Sequence, residues 1–179
     1  FLSACLMVGG ADVRFAVGRG AHVVSLFHFM GMMASLLMGM LSDRVGRARV
    51  ILFVASTSAF CSFFMGWLIG LPTILITAVG MLYAFSALGD SPILSAGLSE
   101  SVDPAYLGMA FALRSFMGFA AGAISPFAFG AILDWTNKGL PDTGFYTTWG
   151  WAYSVLGLGG LAAALAAFVL LNLENRPAQ

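Results

Sequence analysis

Charge is nearly missing from this sequence. Eight Lys and Arg and eight Asp and Glu make up 9 % of 179 residues, with no net charge. A soluble domain carries about 25 % charged residues, and this chain could not clothe a water-facing surface. Without a basic surplus, nucleic acid is excluded as a partner. Cysteine is almost absent too. Cys5 and Cys61 lie in apolar segments with no Cys or His nearby, which argues against a disulfide framework or a metal site and leaves them as small packing residues. No P-loop, Gly-rich nucleotide motif or metal-ligand cluster occurs, so neither cofactor nor ATP-driven chemistry is expected. What the chain has instead is 60 % apolar residues and a mean hydropathy of +0.93. Its apolar runs are long and unbroken, unlike the short alternating strands of a membrane barrel. The expected fold class is all-α, a polytopic transmembrane helix bundle.

The spans can be placed by length, since about 20 apolar residues cross a bilayer. Residues 1–10 are apolar but too short, and are expected to be the end of a truncated helix. A polar stretch, Gly10 to Gly20, carries Asp12, Arg14 and Arg19. Five spans follow, at about 21–41, 50–70, 73–98, 105–133 and 149–173, giving six helices in a single unit over 1–179. Between them lie a basic loop at 42–49, a short acidic loop from Ser99 to Pro104 holding Glu100 and Asp103, and a longer connection from Asp134 to Thr148. Pro104 suits the first turn of a helix. Trp67, Trp135, Trp149 and Trp151 fall near span ends, as an interfacial aromatic belt does. Small residues recur every fourth position in two rows. One is Gly31, Ser35 and Gly39, and the other is Gly118, Gly122, Pro126 and Gly130; both signal close helix packing in lipid. Arg44, Arg47 and Arg49 form the densest basic cluster. The positive-inside rule puts them in the cytoplasm, and alternation places Arg176 and the chain end there as well.

The segment Gly39-Met40-Leu41-Ser42-Asp43-Arg44-Val45-Gly46-Arg47-Ala48-Arg49 resembles the signature loop of the major facilitator superfamily of secondary transporters, G-x-L-[SA]-D-R-x-G-R-[RK]. Ala48 departs from the usual basic residue, with Arg49 beside it. The residues have their own physical logic. Gly39 allows close helix contact, Gly46 permits a tight turn, and Asp43 can pair with Arg44 or Arg47 or face a helix N-terminus. Without the family, the segment reads as a basic loop that sets topology. With it, Gly39, Asp43, Arg44, Gly46 and Arg47 are expected to form a cytoplasmic gating loop. The resemblance implies one six-helix half of a twelve-helix transporter in a bacterial inner membrane, with the other half as its partner. The Gly118 to Asp134 row looks like the fifth helix of a C-terminal half. No arginine falls in Tyr83 to Gly89, where many N-terminal halves carry one, and the chain ends soon after its last span. These features favour the C-terminal half.

Two charges lie deep within spans. Asp90 precedes the turn near Val102 by 12 residues and Arg114 follows it by 12, so antiparallel neighbours would carry them at one level. A charge at the bilayer centre costs about 2.5–3.5 kcal/mol on insertion scales, which makes it a functional hypothesis. Asp90 would take up a proton or meet a cationic group. Arg114 would hold an anionic group of a substrate, or hold Asp90 charged. The bland alternative is an ion pair pinning two helices. Tyr83 and Ser86 share the face of Asp90, and Ser125 that of Arg114, forming polar stripes suited to a solute pathway. His28 could relay protons near neutral pH or simply pack. The expected activity is alternating-access transport of a small organic or inorganic anion, coupled to protons or another ion. An intramembrane aspartyl protease would need a second aspartate sharing the site, and only Asp90 is deep. A serine protease of the membrane would need a Gly-x-Ser-x-Gly-like loop, which is absent. A sensor or assembly subunit with the same fold is the remaining alternative.

Overall fold

A computed structural model describes residues 1–140 and 145–174; Arg176 and the polar tail beyond Glu174 lie outside them. Seven α-helices follow in order: α1 (Leu2–Val8), α2 (Val13–Val45), α3 (Arg47–Met65), α4 (Thr73–Leu88), α5 (Asp90–Ser101), α6 (Leu107–Asn137) and α7 (Gly150–Glu174). Among the described residues there is no strand. The helices α2, α3, α4 with α5, α6 and α7 give five segments long and apolar enough to cross a membrane.

The helices outrun the apolar spans. The stretch from Gly10 to Gly20, expected to be a polar connection, is helical from Val13 onward. Asp12 supplies the reason, since its carboxylate accepts a hydrogen bond from the Arg14 backbone N–H at 3.0 Å and caps α2. Arg19 then lies along the helix with its guanidinium 5.3 Å from the Phe15 ring centre. The basic loop at 42–49 is also helical except at one residue. Gly46 has φ +105° and ψ 140° and alone separates α2 from α3, a backbone conformation that favours glycine. Ser99 to Ser101, placed in the acidic loop, complete α5.

The third span is broken, not continuous. Pro92 has no N–H and cannot bond the carbonyl of Leu88, four residues back. The helix therefore stops at Leu88 and restarts at Asp90. The freed Leu88 carbonyl faces α2, where the Ser35 hydroxyl, shared with the Gly31 carbonyl at 3.1 Å, lies 3.3 Å from it. The small-residue row of α2 makes that approach possible. A Cβ on Gly31 would sit 2.1 Å from Leu88 Cδ1, and one on Gly39 would lie 3.9 Å from Pro92 Cβ.

Helix α3 is the centre of the bundle. It buries nine of its 19 residues, whereas α6 buries only Leu133 of 31. It lies closest to α7. A Cβ on Gly160 would be 3.0 Å from Ala59 Cα, and the Ser62 hydroxyl donates to the Tyr153 carbonyl at 3.0 Å. At the far end Gly66 lies under the Trp149 backbone. Two apolar cores result. One, on the Gly46 side, gathers Met38, Val50, Ile51, Val54, Ile93 and Ala167. The other gathers Leu2, Cys5, Met65 and Ile76. Helix α6 joins this body chiefly near its C-terminal end. There the Asn137 side-chain oxygen accepts from the Thr147 and Thr148 N–H groups at 3.1 and 2.9 Å, and its Nδ2 donates to the Thr148 carbonyl at 2.8 Å. The second small-residue row faces open space, with no atom within 4 Å of a Cβ built on Gly118, Gly122 or Gly130. The phenylalanines Phe116, Phe119 and Phe127 are exposed in the same way.

Candidate functional site

The chemistry-bearing residues concentrate around α5. Arg114, eight residues into α6, reaches across to two serines one helical turn apart. Its Nη1 donates to Ser95 Oγ at 3.0 Å, and its Nη2 donates to the Ser91 carbonyl and hydroxyl at 3.1 and 3.3 Å. Asp90 is the first residue of α5, beside the break, and is partly buried. Arg114 reaches the first turn of α5, where Asp90 stands, but the two charges form no ion pair. Among the described residues no carboxylate lies within 4.0 Å of the Arg114 guanidinium. Successive residues of a helix point about 100° apart, so the arginine that meets Ser91 is turned away from the Asp90 direction. The chain thus holds a cation inside a membrane-length helix whose direct hydrogen bonds all go to neutral hydroxyl and carbonyl oxygens, with the Asp90 carboxylate near enough to act on it only through space.

The other candidate residues are dispersed. His28 is exposed on α2, with Nδ1 2.9 Å from the Val24 carbonyl of its own helix. Ser86 is 3 % exposed and its hydroxyl donates back to Leu82 and Tyr83 carbonyls at 2.9 and 3.0 Å. Tyr83 lines a separate cavity of about 390 Å³ together with Phe27, Met65 and Tyr153. Ser125 is partly buried on α6.

The signature segment forms a second cluster, built by the joint at Gly46. Arg47 is the first residue of α3, and its Nη2 holds Glu100 near the end of α5. The same atom lies 3.7 Å from Asp43, one turn back on α2. The stem of Arg47 crosses α5 at Gly97, where a Cβ would be 3.5 Å from Arg47 Cδ. One guanidinium therefore ties three helix ends together. Arg44 is exposed, and Arg49 reaches only the Val45 carbonyl at 3.4 Å. Glu100 is absent from the motif and read as an ordinary loop acid. The signal that could have found it is its place as the acid at the end of α5 opposite the basic cluster.

On the far side of the bundle the Tyr146 hydroxyl donates to Asp134. Tyr146 lies between the last two spans, and the carboxylate beside it pushes its phenol above the ordinary tyrosine range.

A bundle of membrane-length helices, a one-residue joint bearing charged residues on both sides, and a half-buried arginine held by serine oxygens define a polytopic membrane protein of the helical type. Comparison with family profiles agrees. Residues 11–179 match the Major Facilitator Superfamily, and the chain belongs to that family. No curated protein and no solved structure matches it.

Proposed function

We propose that this chain is the C-terminal six-helix half of a secondary transporter that moves a small anionic solute by alternating access. The observation that supports the reading most is Arg114. A guanidinium without a carboxylate, inside a span and on the helix least packed against the rest of its own bundle, is poised for a negative ligand. Asp90 is assigned proton coupling, because it stands at the helix break, where two half-helices meet beside Arg114. Broken helices are a recurrent way to build sites near the membrane midplane. The Asp43–Arg47–Glu100 cluster is assigned to gating on the cytoplasmic side, since it joins α2, α3 and α5 through side chains that can separate. The bare face of α6, with its open small-residue row, is assigned to the other half and the solute pathway.

The test is solute flux in proteoliposomes made with the whole transporter. Arg114→Gln is expected to raise the KM for the anionic substrate at least tenfold. Unchanged affinity and rate would remove Arg114 from the substrate site. Asp90→Asn is expected to leave downhill exchange and to abolish pH-driven accumulation. Uphill transport surviving in that variant would refute the coupling assignment.

A further inference from the structure

We propose that the ligand held at Arg114 is an amphipathic monoanion, a carboxylate carried on an apolar chain, with the chain lying in a cavity on the Gly46 side of the bundle. This rests on the reading of Arg114 as an anion-binding group. The cavity measures about 490 Å³ and extends from Arg114 to the Arg47–Glu100 pair. That volume is in the range of small-molecule sites.

The composition of its walls selects the ligand. Ile51, Ile93, Leu94, Leu98 and Leu170 supply them from three helices, so most of any occupant would meet hydrocarbon. Arg114 is the cation at one end without a carboxylate partner, and Ser95 Oγ lies beside it. At the other end Arg47 Nη2 is engaged by Glu100 while its Nη1 is buried without a hydrogen-bond partner, and Glu174 stands nearby on the same rim. A second negative group there would meet carboxylates. The cavity therefore fits one charge at the Arg114 end and an uncharged tail. An inorganic anion would leave the apolar walls unused, and a dianion would be repelled at the far rim.

The cavity lies among α3, α5 and α7, with Arg114 reaching it from α6. At its other end α6 is tied to the segment leading into α7, where the Asn137 side chain clamps Thr147 and Thr148. Toward the start of α6 it is Arg114 that reaches the neighbouring helix. An occupant would lie among α3, α5 and α7 and would touch the Arg47–Glu100 pair at one end, so occupancy and the gating cluster share a wall.

The experiment is calorimetric binding of butanoate, hexanoate and octanoate to the whole transporter in lipid nanodiscs, with empty discs subtracted. Methyl octanoate, octanedioate and sulfate serve as comparisons. Each buried methylene should tighten binding about fourfold until the cavity is full. Methyl octanoate, octanedioate and sulfate should each bind at least tenfold more weakly than octanoate, and Arg114→Gln should remove the binding. Leu94→Trp, which narrows the cavity without touching the cation, should weaken octanoate and spare butanoate; it keeps the test open if the Arg114 variant misfolds. Arg114-dependent binding with no chain-length slope would overturn the amphipathic ligand and leave the anion site standing. Binding indifferent to Arg114 would overturn both. Methyl octanoate or octanedioate binding as tightly as octanoate would also overturn the proposal.

Discussion

Replacing Gly46 by alanine isolates the energetic role of the joint between α2 and α3. Its φ of +105° and ψ of 140° lie where an L side chain is strained. Nothing lies within 4 Å of a Cβ built there, so crowding does not contribute. Holding a non-glycine residue in such a region costs about 1–3 kcal/mol. Alanine also restricts the unfolded chain, which returns about 0.4–1 kcal/mol. The expected net loss is about 0–2.6 kcal/mol. Gly18 is the internal control. It is exposed within α2, equally free of neighbours, and has an ordinary helical backbone, so Gly18→Ala should gain about 0.5–1 kcal/mol. The same added methyl group is thus expected to act with opposite sign within α2 and at the joint that ends it. Reversible unfolding in mixed micelles, followed by circular dichroism against detergent mole fraction, measures both. A Gly46→Ala protein as stable as Gly18→Ala would refute the claim that the joint depends on a glycine conformation.

Three further outcomes follow from the contacts. Ser35→Ala removes the donor that reaches the Leu88 carbonyl at the helix break; it should lower stability by about 1 kcal/mol and speed amide exchange at the start of α5, and unchanged exchange would speak against the bond. Gly66→Ala should be far more damaging than its size suggests, since its Cβ would fall 2.5 Å from the Trp149 carbonyl oxygen and 2.7 Å from Gly150 Cα. Backbone cannot step aside as a side chain can, so a loss at the upper end of about 1–3 kcal/mol is expected, and wild-type melting would contradict the close approach. For Tyr146 the raised phenol pKa means that the folded form keeps its proton above the ordinary value near 10. Its contribution to stability is complete below the unfolded pKa and is lost as pH rises through the folded one. Ultraviolet titration, read as the difference from Tyr146→Phe, should show a late phenolate midpoint that returns toward normal in Asp134→Asn.

How much of this was legible in the sequence depends on the kind of force involved. The number of spans and the turn at Gly46 follow from local rules, hydropathy over a window and a glycine amid charged residues. The helix break needed one more local rule, that Pro92 silences the Leu88 carbonyl, but the long apolar run around it hid the interruption. The polar stretch before residue 20 looked like a connection because charge was weighed more heavily than the cap at Asp12. The partners of Arg114 were out of reach. Counting residues from the turn puts Arg114 opposite the start of α5, yet the choice between Asp90 and Ser91 is a rotation of about 100° about the α5 axis, and only packing of α5 on α2 and α3 sets that angle. The link from Arg47 to Glu100 spans 53 positions and likewise depends on how separate helices settle. So does the Asn137 clamp, although an asparagine at a helix end is a local hint of capping.

The one-residue joint also bears on which length changes this chain can accept. Connections between helices normally absorb insertions and deletions because they run free over the surface. Here the register of α3 is handed on from α2 through a single residue. Adding or removing one residue at position 46 would turn α3 by about 100° and slide it about 1.5 Å. Val50, Val54, Ala55 and Cys61 would swing out of the interior, and Arg47 would leave Glu100. Homologous chains should therefore vary in length after Asn137, between the last two spans, and keep a fixed count across the joint.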